Sequence, residues 1–120
     1  MKVLVVDDSK LARLSLMKVL DEYISKENCI QAANGEEAVS QMNEHKPLLV
    51  FLDLTMPIMD GYEALPKLLQ SNPKAQVIVV SADIQESAQI KVLELGAKLH
   101  VKKPISAQKM QDIFKILQEK

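Results

Sequence analysis

Five short apolar runs divide the chain and restrict its fold more strongly than any other feature of the sequence. The runs cover residues 2–6, 29–33, 48–54, 76–81 and 99–102. Segments 3–6 and 77–80 consist entirely of Val, Leu and Ile, without alternating polar residues. Continuous runs of this kind are typical of strands covered on both faces, which indicates a parallel sheet. The run at 29–33 is the weakest of the five predicted strands.

Helical patterns follow the runs, with apolar residues recurring every three or four positions. The first pattern extends from Leu11 to Ile24. Asn34 and Ser106 are typical N-cap residues for the second and fifth helices. Gly96 is a typical residue just past the end of the fourth helix. Strand and helix therefore alternate five times, which predicts a three-layer α/β domain with a doubly wound, parallel, five-stranded sheet.

Pro66 is an anomaly within the third helical pattern. If it lies past the first turn, it removes a backbone donor and bends the helix, whereas a later helix start removes the difficulty. The sequence leaves both interpretations open. No linker, repeat or low-complexity segment interrupts the alternation, so residues 1–120 are expected to form a single domain with no output domain.

Composition excludes several classes of function. Aromatic residues make up 3% of the chain and the formal net charge is −1, so stacking platforms and a basic excess for nucleic-acid binding are both lacking. No apolar run approaches the ~18 residues of a membrane span, and the N-terminus does not resemble a signal peptide. Cys29, the single cysteine, is interpreted as a small buried hydrophobe. We therefore expect a cytoplasmic protein without direct nucleic-acid binding or membrane insertion.

Polar residues stand where four of the predicted strands end. They are Asp7 and Asp8 after the first, Asp53 in the third, Ser81 in the fourth and Lys103 after the fifth. Each has an ordinary explanation by itself, since aspartates cap helices, serines occupy turns and lysines lie in solvent. Ligands of parallel α/β sheets gather at the carboxyl ends of the strands. We therefore expect these side chains to meet at one edge of the sheet.

Such a cluster has a definite chemistry. Crowded carboxylates repel one another, and Mg²⁺ relieves the repulsion while keeping positions open for water and phosphate oxygens. Asp53 remains available as a nucleophile, since carboxylates form covalent phosphoryl intermediates. Lys103 supplies a positive charge and Ser81 a hydroxyl donor. Backbone amides near Thr55 and Ala82 complete a cradle for the phosphoryl oxygens.

Six short motifs, in order and suitably spaced, resemble the receiver domains of bacterial two-component response regulators, of the chemotaxis type. They lie at residues 5–8, 52–57, 59–63, 79–82, 95–97 and 102–104. The resemblance extends over residues 2–117 and implies a flavodoxin-like (βα)5 fold with strand order 2-1-3-4-5. It also implies a phosphorelay signalling switch, not an enzyme in the usual sense, with self-catalysed phosphoryl transfer and autodephosphorylation.

The resemblance implies roles for individual residues. Asp53 aligns with the phosphoacceptor, and Lys103 with the lysine that pairs with the phosphoryl group. Asp8 aligns with the direct metal ligand and Asp7 with its partner through water. Asp53 and the backbone carbonyl of Thr55 complete the implied Mg²⁺ ligands. Residues with implied structural roles are Gly61, in the motif at residues 59–63, and Pro104, which a cis bond usually precedes in the family.

A switch is also implied. The hydroxyl of Ser81, next to Ala82, moves toward the phosphoryl group, and an aromatic residue on the fifth strand turns inward. That strand position is His100 here, where Tyr or Phe is commoner. His100 is interpreted either as a surface histidine that tolerates substitution or as a switch residue that responds to pH as well as phosphorylation.

Smaller features of the sequence concern the lifetime of the acyl phosphate and dimerisation. Thr55 and Asp83 match positions that tune the lifetime of the acyl phosphate, although solvent exposure is the simpler interpretation of Asp83. Lys98 and Leu99 replace acidic residues that are common in relatives dimerising through this face. That mode of dimerisation is therefore not expected.

Other functions compete with this hypothesis. A haloacid-dehalogenase-like aspartyl phosphatase needs a second aspartate where this chain has Thr55. A flavodoxin needs a phosphate loop after the first strand, where Asp7 and Asp8 repel phosphate unless a metal intervenes. A receiver-fold binding module without phosphorylation remains the main alternative.

The expected partners are other proteins. A sensor histidine kinase or phosphotransfer protein supplies the phosphoryl group, and a separate downstream effector protein receives the signal. The predicted contact surface comprises residues 85–95 and 99–119, which include the fourth helix, fifth strand and fifth helix.

Overall fold

Strands and helices alternate regularly in the computed structural model, which describes residues 1–82 and 84–118. The strands are β1 (Val3–Val6), β2 (Cys29–Ala32), β3 (Leu49–Leu52), β4 (Gln76–Ser81) and β5 (Leu99–Lys102). The α-helices are α1 (Lys10–Leu20), α2 (Gly35–His45), α3 (Gly61–Ser71), α4 (Glu86–Glu94) and α5 (Ala107–Gln118). A short 3-10 helix, Lys26–Asn28, leads into β2.

The sheet is parallel throughout, in the order β2-β1-β3-β4-β5. This confirms the predicted doubly wound, flavodoxin-like architecture. In the central pair, Val6 of β1 lies opposite Leu52 of β3. The ladder continues one step further, because the amide of Asp53 donates to the carbonyl of Val6 at 3.0 Å. Asp7 and Asp53 therefore leave the sheet side by side.

Two apolar layers cover the sheet, which explains the continuous apolar runs. Successive strand residues point to opposite faces. Val6 and Leu52 pack on the side that includes Met42 of α2, Leu65 of α3 and Val92 of α4. The opposite face contains Val3, Val5, Phe51, Leu20 of α1 and Ile113 of α5. The predicted three-layer arrangement is confirmed.

Strand bounds agree with the apolar runs in part. The strands β4 and β5 match the predicted ranges, whereas β3 occupies only Leu49–Leu52 of the run 48–54. Asp53 and Leu54 are buried but lie beyond the assigned strand. The predictions for the first and second strands are each one residue too long, at Lys2 and Ala33.

The predicted helix ends are largely correct. The side chains of Asn34 and Ser106 accept from backbone amides three residues later, at 2.9 and 3.1 Å, as N-caps do. Gly96 follows α4 with a φ of 110°, a conformation that favours glycine. The extension of the first helix to Ile24 is wrong, because α1 ends at Leu20. Ile24 is nevertheless buried, which explains its place in the apolar pattern.

Pro66 lies inside α3, since this helix begins at Gly61. The later helix start is therefore wrong, and the carbonyl of Tyr62 loses its usual donor four residues on. Cys29 lies on the edge strand β2 and packs, only partly buried, against the apolar layer, so its interpretation as a buried hydrophobe is correct only in part. Across residues 1–82 and 84–118, none of the helices has the length and apolar character needed to cross a membrane.

Candidate functional site

An acidic cluster forms where β1 and β3 end. Asp7 and Asp53 are 7% and 6% exposed, whereas Asp8 is exposed. One carboxylate oxygen from each of the three lies within 4.8 Å of the others. The parallel register of the central strands produces this convergence, because both strands end at the same level.

Lys103 reaches into the cluster from the end of β5. Its Nζ lies 2.6 Å from Asp7 Oδ2 and 3.2 Å from Asp53 Oδ1. Its backbone amide donates to the carbonyl of Ser81 at 2.9 Å, which aligns the loop with β4. The following peptide bond, Lys103–Pro104, is cis. One ammonium group thus bridges two buried carboxylates from neighbouring strands.

Backbone groups orient the two buried carboxylates. Asp7 Oδ1 accepts from the amide of Ser9 at 2.9 Å, and Asp53 Oδ1 accepts from the amide of Leu54 at 3.0 Å. Ser9 also caps α1 through its side chain. The turn after β1 therefore fixes both the start of α1 and the orientation of Asp7.

Arg13 supports the cluster from outside, and the sequence analysis did not identify it. Its guanidinium donates to the backbone carbonyl of Asp7 at 2.7 Å and to Gln31 Oε1 at 2.9 Å. Arg13 thereby joins α1 and β2 to the turn that carries the acidic pair. A cation six residues after Asp7, on the first helix, is the signal that could have indicated this contact.

Burial and mutual repulsion perturb the titration of the site. Burial and then the charge of Asp7 raise the pKa of Asp53, although Lys103 and the amide of Leu54 oppose this shift. Burial acts to lower the pKa of Lys103, but the hydrogen bond with Asp7 and the nearby carboxylates outweigh it and raise that pKa. The cluster therefore holds more negative charge than Lys103 compensates.

The donor set of this cluster fits a hard divalent cation. Three carboxylates face one ammonium group, and the exposed Asp8 keeps the cluster open to solvent. Mg²⁺ takes oxygen ligands and retains several waters, so it suits a partly open carboxylate site. These carboxylates can hold such an ion, whose positive charge would neutralise the negative charge that Lys103 leaves uncompensated.

An open pocket adjoins Asp53 and brings most of the predicted site residues together. Its lining includes Asp8, Asp53, Leu54, Thr55, Tyr62, Ser81, Ala82, Ala88 and Lys103. Tyr62 of α3 and Ala88 of α4 were not predicted. Both lie on helices, and their approach to Asp53 depends on how α3 and α4 pack against the sheet.

Ser81 links this pocket to β5. Its buried Oγ lies 2.8 Å from Nε2 of His100, which is half-buried. His100 therefore has a direct contact with the pocket, and both interpretations, a surface histidine that tolerates substitution and a switch residue, stay predictions. Asp83 lies outside the described residues.

Gly61 allows α3 to begin directly against the segment that follows β3. Its amide donates to the carbonyl of Leu54 at 2.9 Å. A Cβ here would collide with the carbonyl oxygen of Asp53 and with the backbone of Leu54. The close approach accounts for glycine at this position.

Comparison with known proteins agrees with the fold and the acidic cluster. Residues 3–115 match the family described as the response regulator receiver domain. The chemotaxis protein CheY of Listeria monocytogenes is 37% identical over 110 residues, covering 92% of each chain. A protein-glutamate methylesterase/protein-glutamine glutaminase of Oleidesulfovibrio alaskensis is 38% identical, covering 99% of this chain and 33% of that protein.

A solved structure gives the same result in three dimensions. The CheX–CheY–BeF3–Mg²⁺ complex of Borrelia burgdorferi matches with a TM-score of 0.88 and 32% identity. The match covers 99% of this chain and 90% of that chain. That complex contains magnesium, an ion that suits the acidic cluster seen here. This chain belongs to the response regulator receiver domain family, whose members act as signalling switches.

Proposed function

We propose that Asp53 accepts a phosphoryl group in a Mg²⁺-dependent reaction with a sensor histidine kinase or phosphotransfer protein. The observation that carries this proposal is the bridge from Lys103 Nζ to Asp7 and Asp53, beside an open pocket. It supplies a buried nucleophile, a fixed positive charge and space for the transferred group in one place.

Mg²⁺ would be held by the carboxylates of Asp7, Asp8 and Asp53 and by the backbone carbonyl of Thr55. When bound, the ion reduces the repulsion between the negative carboxylates and the negative phosphoryl oxygens. Asp7 is oriented by Ser9 and Arg13, so it contributes a preset oxygen. Asp8 is exposed and lies at the point of entry.

The transfer uses a carboxylate oxygen of Asp53 as nucleophile. A new P–O bond forms to this oxygen while the bond from phosphorus to the donor breaks, and the bonding electron pair leaves with the donor. The ammonium of Lys103 pairs with a phosphoryl oxygen. The hydroxyl of Ser81 and backbone amides near Thr55 and Ala82 stabilise the remaining negative charge.

The signal would leave through the surface formed by α4, β5 and α5. Ser81 contacts His100 of β5, so a hydroxyl drawn toward the phosphoryl group changes the environment of His100. We further propose that residues 1–120 act as one receiver unit in the cytoplasm. A separate effector protein then receives the signal. The predicted contact surface includes residue 119, which lies outside the described residues.

Acetyl phosphate provides a direct test. With Mg²⁺ present, intact-protein mass spectrometry should show a gain of one phosphoryl group, which a chelator and the Asp53→Asn variant both abolish. Asp112→Asn, on the exposed side of α5, is the matched control and should be phosphorylated normally. Absence of a mass gain in the wild type would favour the receiver-fold binding module, and repeated turnover of a small phosphate ester would favour the aspartyl phosphatase.

A further inference from the structure

Tyr62 lies in the wall of the pocket that contains Asp53. It is the second residue of α3, is half-buried and lines the same pocket as Asp53, Ser81 and Lys103. The hydrogen bond from the Gly61 amide to the carbonyl of Leu54 attaches the start of α3 to the end of the acceptor strand. The backbone of Tyr62 is therefore held at a fixed position relative to the acceptor.

The ring of Tyr62 also contacts α4. Lys91 Nζ lies 4.3 Å from the ring centroid, which is a cation–π geometry. Ala88, one helical turn before Lys91, lines the pocket together with Tyr62. Tyr62 thus spans the gap between α3 and α4 in the wall of the open pocket that contains Asp53.

Packing alone does not account for this arrangement. Tyr62 does pack against the apolar layer below α3, and any large apolar side chain would satisfy that contact. The position of Lys91, over the ring and exposed to solvent, adds an electrostatic attraction that an aliphatic residue cannot provide. The ring is therefore held by a contact that depends on its aromatic character.

We propose that Tyr62, held in place by Lys91, shields the acyl phosphate from water and thereby lengthens its lifetime. This inference rests on the proposed phosphorylation of Asp53. In the hydrolysis that it slows, a water oxygen forms a bond to phosphorus while the bond from phosphorus to the Asp53 oxygen breaks. The electron pair returns to the Asp53 carboxylate, and inorganic phosphate and a proton are released. Lys91 acts here as a positioning residue, without contact with the reacting atoms.

Variants of Tyr62 test the shield directly. The full chain is phosphorylated with acetyl phosphate and Mg²⁺, the donor is removed, and loss of the phosphoryl group is followed with time. Tyr62→Leu should lose it at least about threefold faster than the wild type, whereas Tyr62→Phe, which keeps the ring, should match the wild type. Thermal unfolding of each variant checks that the fold persists.

Variants of Lys91 separate shielding from simple packing, because Lys91 is exposed and its replacement leaves the core intact. Lys91→Gln should accelerate dephosphorylation about two- to fivefold, the range that an exposed cation–π contact provides. Lys91→Arg should restore the wild-type rate. Lys98→Gln removes the same charge from the loop after α4 and should change nothing. In a Tyr62→Leu background, Lys91→Gln should have no further effect.

The outcomes distinguish this inference from the function on which it rests. If the wild type takes up no phosphoryl group, the proposed function fails and the inference fails with it. If every variant is phosphorylated and Lys91→Gln and Tyr62→Leu lose the group at the wild-type rate, only the shield is overturned. A readout that needs no phosphoryl group is the NMR signal of the Tyr62 ring, which should shift in Lys91→Gln and stay in place in Lys98→Gln.

Discussion

The central strands and the edge strand β5 contribute different parts of the site. The strands β1 and β3 are buried along their whole length and are followed directly by Asp7 and Asp53. The strand β5 is paired on one side only, is partly exposed, and supplies His100 and the following Lys103. The acidic groups thus follow the buried centre of the sheet, whereas His100 and Lys103 belong to its edge.

This difference has a physical reason. Buried carboxylates stay in place only when neighbouring structure holds them, because burying charge is costly. Side chains that report a change must instead reach a surface that another protein can bind. In the proposed switch, β5 connects the buried site to the surface because it pairs with β4 and its His100 contacts Ser81 of β4.

The first prediction compares packing in a central and an edge strand. Phe51 of β3 is 1% exposed, whereas Leu99 of β5 is partly buried. Phe51→Ala should lower the free energy of unfolding by about 3–5 kcal/mol, because it removes a large buried side chain and leaves a cavity. Leu99→Ala should cost clearly less. Urea denaturation measures both, and equal losses would contradict the distinction between centre and edge.

The second prediction concerns the cation that the edge contributes. Lys103→Met should slow phosphorylation by acetyl phosphate about 100-fold, since it removes a preorganised positive charge from the transferred group. Lys102→Met, at the exposed neighbouring position, is the control and should react at nearly the wild-type rate. The initial rate of mass gain is the measurement. Comparable rates in the two variants would remove Lys103 from the proposed mechanism.

The third prediction concerns how the central cluster is held. Arg13→Met should weaken Mg²⁺ binding about tenfold, because the loss of its bond to the Asp7 carbonyl loosens a proposed ligand from outside. Lys10→Met removes a charge from the exposed start of the same helix and serves as the control. Calorimetric titration with Mg²⁺ compares the two. An unchanged affinity in Arg13→Met would mean that Ser9 alone is sufficient to orient Asp7.

Much of this arrangement could be predicted from the sequence. Continuous apolar runs place Asp7 and Asp53 at strand ends, and the geometry of parallel sheets then brings them to one edge. The strand order, which places β5 and Lys103 beyond β4 at the same edge, was implied by the family resemblance. The hydrophobic pattern together with that resemblance was therefore sufficient for the main features of the site.

The contacts that were missed depend on side-chain reach. Arg13 touches the Asp7 carbonyl and Tyr62 meets Lys91 because particular helices lie at particular distances from the sheet. Apolar periodicity gives the inward face of a helix but not how far it lies from a neighbouring loop. The error at Ile24 has the same origin, since a buried apolar residue after α1 continues the spacing without continuing the helix.

The fourth prediction concerns the charge of Asp53 in the absence of divalent ions. Burial and Asp7 raise its pKa in the folded state. The folded state therefore favours the protonated carboxyl group, and the charged carboxylate destabilises it. The stability that the protonated Asp53 contributes is complete at pH values below its pKa in the unfolded state. It is lost as the pH rises through its pKa in the folded state. At neutral pH, Asp53→Asn should therefore unfold with a free energy about 1 kcal/mol higher than the wild type.

This gain has two built-in controls. It should disappear in acid, where Asp53 is protonated in both states, and it should shrink when Mg²⁺ binds the wild-type carboxylates. Thermal unfolding in a chelator, across a series of pH values, measures the difference. A destabilised Asp53→Asn at neutral pH would mean that the ion pair with Lys103 outweighs burial and the repulsion from Asp7. The buried centre of the sheet would then be stabilised, and not strained, by the charge that it carries.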